Sequence, residues 1–346
     1  MALGFQMSEL FYESIPEDRR DIARSAISAA FGRAQPTGLE PITHGASGAL
    51  IYRVEVTGRP YLLRLETRQD ALDDRARGYV CMQAAAEAGI APPLHHADAA
   101  AGVAIMDFLP QRSLFDYPAG REGLLRDLGA LVARLQATPV FPAVADYPVL
   151  LSGMLDKVSK SGRFTPGLLA PHQEGFKRLV QAYAWDKAKT VSSHNDLNPG
   201  NIIFDGQRLW FVDWEVAFRN DPLIDLANLS NYLAPTPDLQ DVLLRSWRGR
   251  APDSILRARL VLARQLVRLC YACLMLTFSA GAMKTKPDAD LTAPSLNEFH
   301  TLLAQGRVKL SAPESLYVYG KVYLGEFLAN LSAPDFEEAL VVAQQG

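Results

Sequence analysis

The densest polar stretch in the chain is His194-Asn-Asp196-Leu-Asn-Pro-Gly-Asn201, and a second polar set follows in Phe211-Val-Asp213-Trp-Glu215. Each adjoins an apolar run. A strand that ends in Asp or Asn presents that side chain at a sheet edge, where a cleft can form. The residue types and spacing suit one kind of chemistry. Asp196 offers an oxygen that can accept a proton from an alcohol. Asn201, and Asp213 12 residues after it, offer one neutral and one anionic oxygen. Mg²⁺ takes such hard donors in partial protein cages completed by water and substrate phosphates. A base, a metal-binding amide and a metal-binding carboxylate are together the parts of a phosphoryl-transfer site.

The elements that must position these residues can be read from periodicity and turn residues. Residues 22–31 read as a short amphipathic helix after a Pro-Glu-Asp start. Residues 39–43, 50–56 and 61–66 read as strands, with Gly45-Ala-Ser-Gly48 and Thr57-Gly58 as turns. A helix over 71–88 ends at Gly89, and strands near 94–97 and 103–108 follow, closed by Leu109-Pro110. From Arg121 the texture turns helical, with Leu124, Leu128, Leu131 and Leu135 at helical spacing. A β-rich island over 190–216 interrupts it, containing Val191-Ser-Ser, Ile202-Ile-Phe204 and residues 209–212. Helices fill the rest, notably 255–277. The expected fold is α+β and two-lobed: a helical extension over 1–35, a small β-rich N-lobe over 36–109, and a larger helical C-lobe over 110–346, with a cleft near 106–112.

The segment from His194 to Leu229 resembles the active-site region of choline/ethanolamine kinases and aminoglycoside phosphotransferases, which have a protein-kinase-like fold. The run Val212-Asp-Trp-Glu-Val-Ala-Phe-Arg-Asn-Asp-Pro-Leu-Ile-Asp-Leu-Ala227 looks closer to the choline kinase side. Several elements occur in order at consistent spacing, which makes the match more specific than a lone His-x-Asp. The resemblance extends more loosely over 38–110 and is weak after about residue 240. It implies that Asp196 orients or deprotonates an acceptor hydroxyl and that Asn201 and Asp213 hold Mg²⁺. His194 then either supports the loop backbone or takes part in catalysis directly.

The resemblance also assigns the front lobe to the nucleotide. In His44-Gly-Ala-Ser-Gly48, Gly45 and Gly48 permit close backbone approach to phosphates and Ser47 adds a hydroxyl donor. The template's strand cation is Arg64, in Tyr61-Leu-Leu-Arg64-Leu. It keeps the charge of a lysine and adds a bidentate fork. The helix glutamate that should hold this cation is missing: the matching position falls on Val80, or on Gly78 if the register slips. Asp73, Asp74 or Glu66 could substitute. Met106, Asp107, Phe108 and Leu109 occupy the hinge position and are expected to meet the adenine of ATP.

For the acceptor, the candidates are Glu215, Asp225, Trp214 and Tyr232. Asp225 lies where choline kinases carry an acid near the substrate ammonium, and it also suits a helix N-cap. A quaternary ammonium is held by aromatic faces, since it cannot donate hydrogen bonds. Trp247, Tyr271, Phe278, Tyr317, Tyr319 and Tyr323 extend the aromatic set. A polycationic aminoglycoside favours an acidic rear face instead. From Glu215 onward there are 14 acids and 13 bases, so no acidic excess exists. The late arginines, from Arg245 to Arg268, could bind an acidic substrate or partner, though a solvated helix face is the commoner explanation.

Composition sets the remaining bounds. The chain has 346 residues, 49% of them hydrophobic and 21% charged, enough for a large core. A net charge of −3 gives no reason to expect nucleic-acid or anionic-membrane binding. Cys81, Cys270 and Cys273 are too few for a disulfide framework. The Cys270-Tyr-Ala-Cys273 pair lies in an apolar run without a nearby His or Cys to complete a zinc site. The most apolar stretch, 269–283, holds 15 residues, below the roughly 20 of a membrane span. The first basic residue is Arg19, so no secretory n-region is seen and a cytoplasmic protein without membrane insertion is expected. The sequence does not indicate an oligomeric state. The expected activity is an ATP- and Mg²⁺-dependent kinase acting on a small-molecule alcohol such as choline or ethanolamine. Its rivals are an aminoglycoside or other small-molecule phosphotransferase and a non-catalytic nucleotide-binding protein. A protein kinase is disfavoured because Asp213 runs into Asp221-Pro222 within eight residues, which leaves no long activation segment.

Overall fold

The apolar alternation of the first hundred residues folds as a twisted antiparallel sheet. The structure, a computed structural model, describes residues 11–42, 49–67, 75–282 and 286–345. The turn Gly45–Gly48, with Ser47, and the acids Asp73 and Asp74 lie outside the described residues. By packing the chain divides into two units, residues 1–142 with 192–219, and residues 143–191 with 220–346. Packing groups the β-island with the sheet, so the first unit extends past residue 109.

In the first unit a helix α1 (Glu17–Phe31) precedes strands β1 (Pro36–Ile42), β2 (Leu50–Val56) and β3 (Arg59–Leu65). Helix α2 (Arg75–Glu87) and strands β4 (Leu94–Asp98) and β5 (Val103–Asp107) follow, and the sheet order is β1-β2-β3-β5-β4. The β2–β3 hairpin turns on Thr57 and Gly58, both left-handed at φ +50° and +75°, as a two-residue hairpin turn demands. Along β3 the side chains alternate. Leu63 and Leu65 are fully buried, while Arg64 projects from the opposite face. Tyr52, Val54, Leu63, Leu65 and Ile105 pack against Ala23, Ala26 and Ile27 of α1, so the N-terminal helix is part of this core and starts earlier than expected. Gly89, at φ +64°, ends the turn after α2.

Helix α3 (Gly120–Gln136) buries Leu124, Leu128, Leu131 and Leu135 as their spacing predicts. The island supplies four short strands: β6 (Val191–Ser193), β7 (Ile202–Phe204), β8 (Leu209–Phe211) and β9 (Phe218–Asn220). They pair as β6–β9 and β7–β8. Strand β9 was not foreseen, because Phe218-Arg-Asn220 has two polar residues of three and no apolar run to mark it. The island is tied into its unit by the backbone bonds Arg112 N–H to Phe204 O, 2.8 Å, and Phe211 N–H to Ile90 O, 2.9 Å.

The second unit is helical: α4 (Tyr147–Ser159), α5 (Ala170–Ala182), α6 (Leu223–Leu233), α7 (Pro237–Arg248), α8 (Ser254–Phe278), α9 (Leu296–Ala304), α10 (Pro313–Leu331) and α11 (Pro334–Ala343). Helix α8 is its axis, packed by α4, α6, α10 and α11. Among the described residues it is also the one helix long and apolar enough to cross a membrane by length and composition, and most of it is buried within this unit, as core helices are. The three cysteines are free, and Cys273 is fully buried in α8, its thiol pushed up by burial.

Close approach of α8 and α10 requires Gly320. A Cβ there would stand 2.6 Å from Leu276 Cγ and 3.2 Å from the carbonyl oxygen of Ala272, a backbone atom that cannot swing away. Gly320→Val is therefore expected to lower unfolding free energy by about 1–3 kcal/mol, the usual cost of overpacking. Denaturant unfolding would check this; an unchanged midpoint would remove the close contact from the account.

Candidate active site

The loop after β6 is held by its own side chains. His194 is fully buried and donates Nε2–H to the carbonyl oxygen of Val212 at 2.9 Å, with its ring 4.6 Å from that of Trp214. It faces the fold interior and ties the loop to the residue before Asp213. Asn195 is left-handed at φ +66°, and its Nδ2 donates to the carbonyls of Val216 and Phe218, both at 3.1 Å. Asn198 caps the single turn Pro199–Asn201, accepting from Gly200 N–H at 2.8 Å.

Asp196 is positioned by these amides. Its Oδ1 accepts from Asn198 Nδ2 at 3.0 Å and its Oδ2 from Asn201 Nδ2 at 2.9 Å. Asn201 Nδ2 also donates to the Asp196 carbonyl at 2.8 Å. The nitrogen end of the Asn201 amide is thus committed to Asp196, which leaves Oδ1 as its ligand end. The Asn201 carbonyl accepts from Val212 N–H at 3.0 Å, joining the loop to the exit of β8.

Asp213 also takes a left-handed backbone, φ +68°, which costs a non-glycine residue about 1–2 kcal/mol. That conformation turns its carboxylate toward the sheet, where Oδ1 lies 3.4 Å from Arg64 Nη1. Arg64 also meets Glu66 through Nε, 3.5 Å, and forms an ion pair with Glu215 through Nη2. The Arg64 side chain is only 12% exposed. Glu66 therefore proves to be one of its holders, and Glu215 a second that the sequence assigned to the acceptor.

Among the described residues helix α2 places no carboxylate on Arg64. Val80 is 55% exposed and points to solvent. Gly78 lies against the island: a Cβ there would sit 3.4 Å from the Trp214 carbonyl oxygen and 3.5 Å from Glu215 Cα. Arg77, buried beside it, donates to the carbonyl of Glu215 at 2.9 Å and to that of Ala217. The helix therefore grips the backbone around Glu215 instead of reaching Arg64. Arg77 and Asn195 were missed as site residues. Their signal was position alone, one beside the empty glutamate position and one inside the Asn-rich loop.

The remaining candidates fall elsewhere. Met106 is buried in β5, the Asp107 carboxylate holds His95 Nε2 at 2.7 Å, Phe108 lies under the Arg53 guanidinium at 5.6 Å, and Leu109 is half-buried. Trp214 is 4% exposed, with its ring 6.2 Å from that of Phe141, so it packs the interior and offers no open aromatic face. In the second unit Asp225 is fully buried inside the first turn of α6. The capping contact expected of it belongs to Asp221, whose Oδ1 accepts from Leu223 N–H at 2.8 Å. Tyr232 shares a hydroxyl hydrogen bond with Tyr323 at 2.8 Å.

Among the described residues no three His, Cys, Asp or Glu side chains cluster as a metal cage. The donor set nevertheless fits a hard divalent cation that brings water and phosphate ligands of its own. Asn201 Oδ1 and Asp213 are oxygen donors, and around Arg64 three carboxylates face one guanidinium.

A family model described as the phosphotransferase enzyme family matches residues 38–260. The structure is similar to that of a choline/ethanolamine kinase family protein from Mesorhizobium loti, with TM-score 0.69, 23% identity, and 94% of this chain and 99% of that one covered. It is also similar to choline kinase LicA from Streptococcus pneumoniae, with TM-score 0.60, 15% identity, and 90% and 100% covered. These are likenesses of fold. In sequence, 54 residues are 39% identical to protein LicA of Haemophilus influenzae, 16% of this chain and 20% of that protein. The matched segments span between 16% and 23% of the length of the curated relatives.

The packing of Gly78 makes a prediction that separates the two candidate glutamate positions. Gly78→Glu drives a side chain into the backbone at 214–215 and should destabilise the protein by about 1–3 kcal/mol. Val80→Glu adds a charge to an exposed face and should stay within about 0.5 kcal/mol of the parent. Urea unfolding of the two variants measures the difference; equal stabilities would contradict the packing described.

Proposed function

The chain belongs to the phosphotransferase enzyme family, and on that premise we propose that it is an ATP- and Mg²⁺-dependent small-molecule kinase. It transfers the γ-phosphoryl group to the hydroxyl of an amino alcohol of the choline or ethanolamine type. The observation that carries the reading is the hydrogen bond of 2.9 Å between Asp196 Oδ2 and Asn201 Nδ2, which fixes the base beside a ligand amide. A choline kinase LicA and an ethanolamine kinase among the structural neighbours support the acceptor class. A LicA complex with AMP supports an adenine nucleotide as donor.

The roles follow from the chemistry of each group. Asp196 accepts the acceptor's proton, its carboxylate oriented by Asn198 and Asn201 so that the hydroxyl oxygen is presented in line with the γ-phosphorus. Asn201 Oδ1 and Asp213 would hold Mg²⁺, which when bound neutralises charge on the phosphate oxygens. Arg64 presents its guanidinium to the phosphates, held on β3 by Glu66 and Glu215. His194 positions the loop through Val212 and does not touch substrate. Residues Met106 to Leu109 line the adenine edge.

Catalysis here is positioning plus electrostatic stabilisation, so the two carboxylates should fail in different ways. Asp196→Asn is expected to lower kcat by about 10²–10⁴-fold, the usual contribution of a positioned base, while nucleotide affinity is retained. Asp213→Ala should instead abolish the Mg²⁺-dependent part of ATP binding. Coupled ADP release with choline, ethanolamine and related amino alcohols, together with nucleotide titration, checks both. Parental turnover in Asp196→Asn refutes the base, and turnover confined to aminoglycosides or sugars refutes the acceptor class.

A further inference from the structure

Helices α6, α8 and α10 pack mainly through apolar side chains, yet at one junction the packing turns polar. Tyr232 of α6 and Tyr323 of α10 join hydroxyls at 2.8 Å. Tyr323 meets Tyr319 at 3.0 Å, and Tyr319 meets His300 at 2.9 Å. Tyr271 of α8 stands edge-on to Tyr232 and stacks on Tyr323, at 6.0 and 5.6 Å. These tyrosines were among the aromatic residues offered for a cation cage. The charges beside them have the wrong sign for that purpose.

Arg268 precedes Tyr271 on α8 and is 6% exposed. Arg264, one turn earlier, is partly buried. Arg264 Nε donates to Asn231 Oδ1 and Arg268 Nη1 to Gln265 Oε1, both at 3.1 Å. Neither guanidinium has a carboxylate partner among the described residues. The neighbouring arginines do: Arg248 with Asp253 and Arg257 with Asp241, both at 2.7 Å, and Arg259 with Asp221 at 3.0 Å. Glu326 and Asp335 act on the pair only from beyond ion-pair range. Burial, reinforced by the charge of Arg268, pulls Arg264 down to about 10, and burial lowers Arg268 as well. Two like charges one turn apart, desolvated and unmatched, are unfavourable unless an anion joins them.

We propose that Arg264 and Arg268 form a binding site for a small oxyanion, the carboxylate or phosphate group of a ligand, at the junction of α6, α8 and α10. Guanidinium forks match both groups bidentately. The amides of Asn231 and Gln265 hold the forks. A quaternary ammonium is repelled from the same place. The site rests on burial and charge and stands apart from the phosphoryl-transfer reading.

The test is thermal unfolding with inorganic phosphate or succinate at matched ionic strength. Either anion should stabilise the parent. In Arg268→Met its apparent affinity should fall by about thirtyfold or more, as when one partner of a buried charge pair is lost. Arg268→Lys should keep part of the effect. Without anion, Arg268→Met should melt no lower than the parent, since it removes an unmatched buried charge. Stabilisation by phosphate should survive Arg64→Met, which separates this site from one for nucleotide phosphates. No stabilisation beyond that of sodium chloride, or stabilisation that persists in Arg264→Met/Arg268→Met, overturns the proposal. Transfer assays then separate the sources. Phosphorylation of serine or homoserine, with KM raised in Arg268→Met, identifies the anion as part of the acceptor. Anion binding without turnover of either supports a separate carboxylate or phosphate ligand and leaves the site standing when the kinase reading fails.

Discussion

A largely desolvated guanidinium has to be matched, and Arg64 is where this constraint organises the first unit. Its strand sends it off the face opposite the core, and at 12% exposure it cannot rely on water. Glu66 comes from the end of the same strand, while Asp213 and Glu215 come from the segment after β8. The cluster therefore joins the sheet to the island by charge. The left-handed backbone of Asp213 is tolerated because the bonds on either side over-determine it: Val212 N–H to Asn201 O before it, and Ala217 N–H to Trp214 O after it.

That arrangement explains why, among the described residues, no glutamate of α2 pairs with Arg64. In the phosphoryl-transfer template a helix acid fixes the strand cation. Here the helix presents Gly78 and Arg77 to the island. With no side chain at Gly78, the backbone at 214–215 approaches closely. Arg77 then donates to the carbonyls of Glu215 and Ala217. The helix still determines where Arg64 is held, but through the main chain that carries Glu215. Charge runs in the reverse order: a helix cation on carbonyls, and an island anion on the strand cation.

What the sequence disclosed depended on whether the signal was local. Thr57-Gly58 sets its hairpin by backbone preference, and the leucines of α3 set a helix face, so both were legible. The set Asp196, Asn201 and Asp213 was legible because one short loop and one strand pair fix its spacing. The partner of Arg64 was not. Glu66, Asp73 and Asp74 all lie within about ten residues of it, and Glu215 lies about 150 residues away, so only tertiary approach decides between them. Asp221, before Pro222, reads as a turn or cap residue, and Leu223 N–H and the Tyr183 hydroxyl do settle on it, whereas Asp225, which suits a cap as well in sequence, lies buried inside the first turn. Asn195 gave no period at all; its part comes from a left-handed backbone that points its amide at Val216 and Phe218.

Helix α8 shows the same limit from the opposite side. Composition alone makes it apolar enough to span a bilayer. Its four arginines differ by what they meet. Arg257 and Arg259 find Asp241 and Asp221, so the first turns of α8 are anchored to α7 and to the loop before α6 by matched charge. Among the described residues Arg264 and Arg268 find only amides, within a polar core shared with four tyrosine rings. A regular helical spacing thus carries two arginines with acids and two without. The stripe that looked like a uniform solvated face is divided by its neighbours into a structural half and a half whose charge is unmatched among the described residues. Unmatched buried charge is maintained at a cost in stability, and that cost is recovered when a ligand of opposite sign binds.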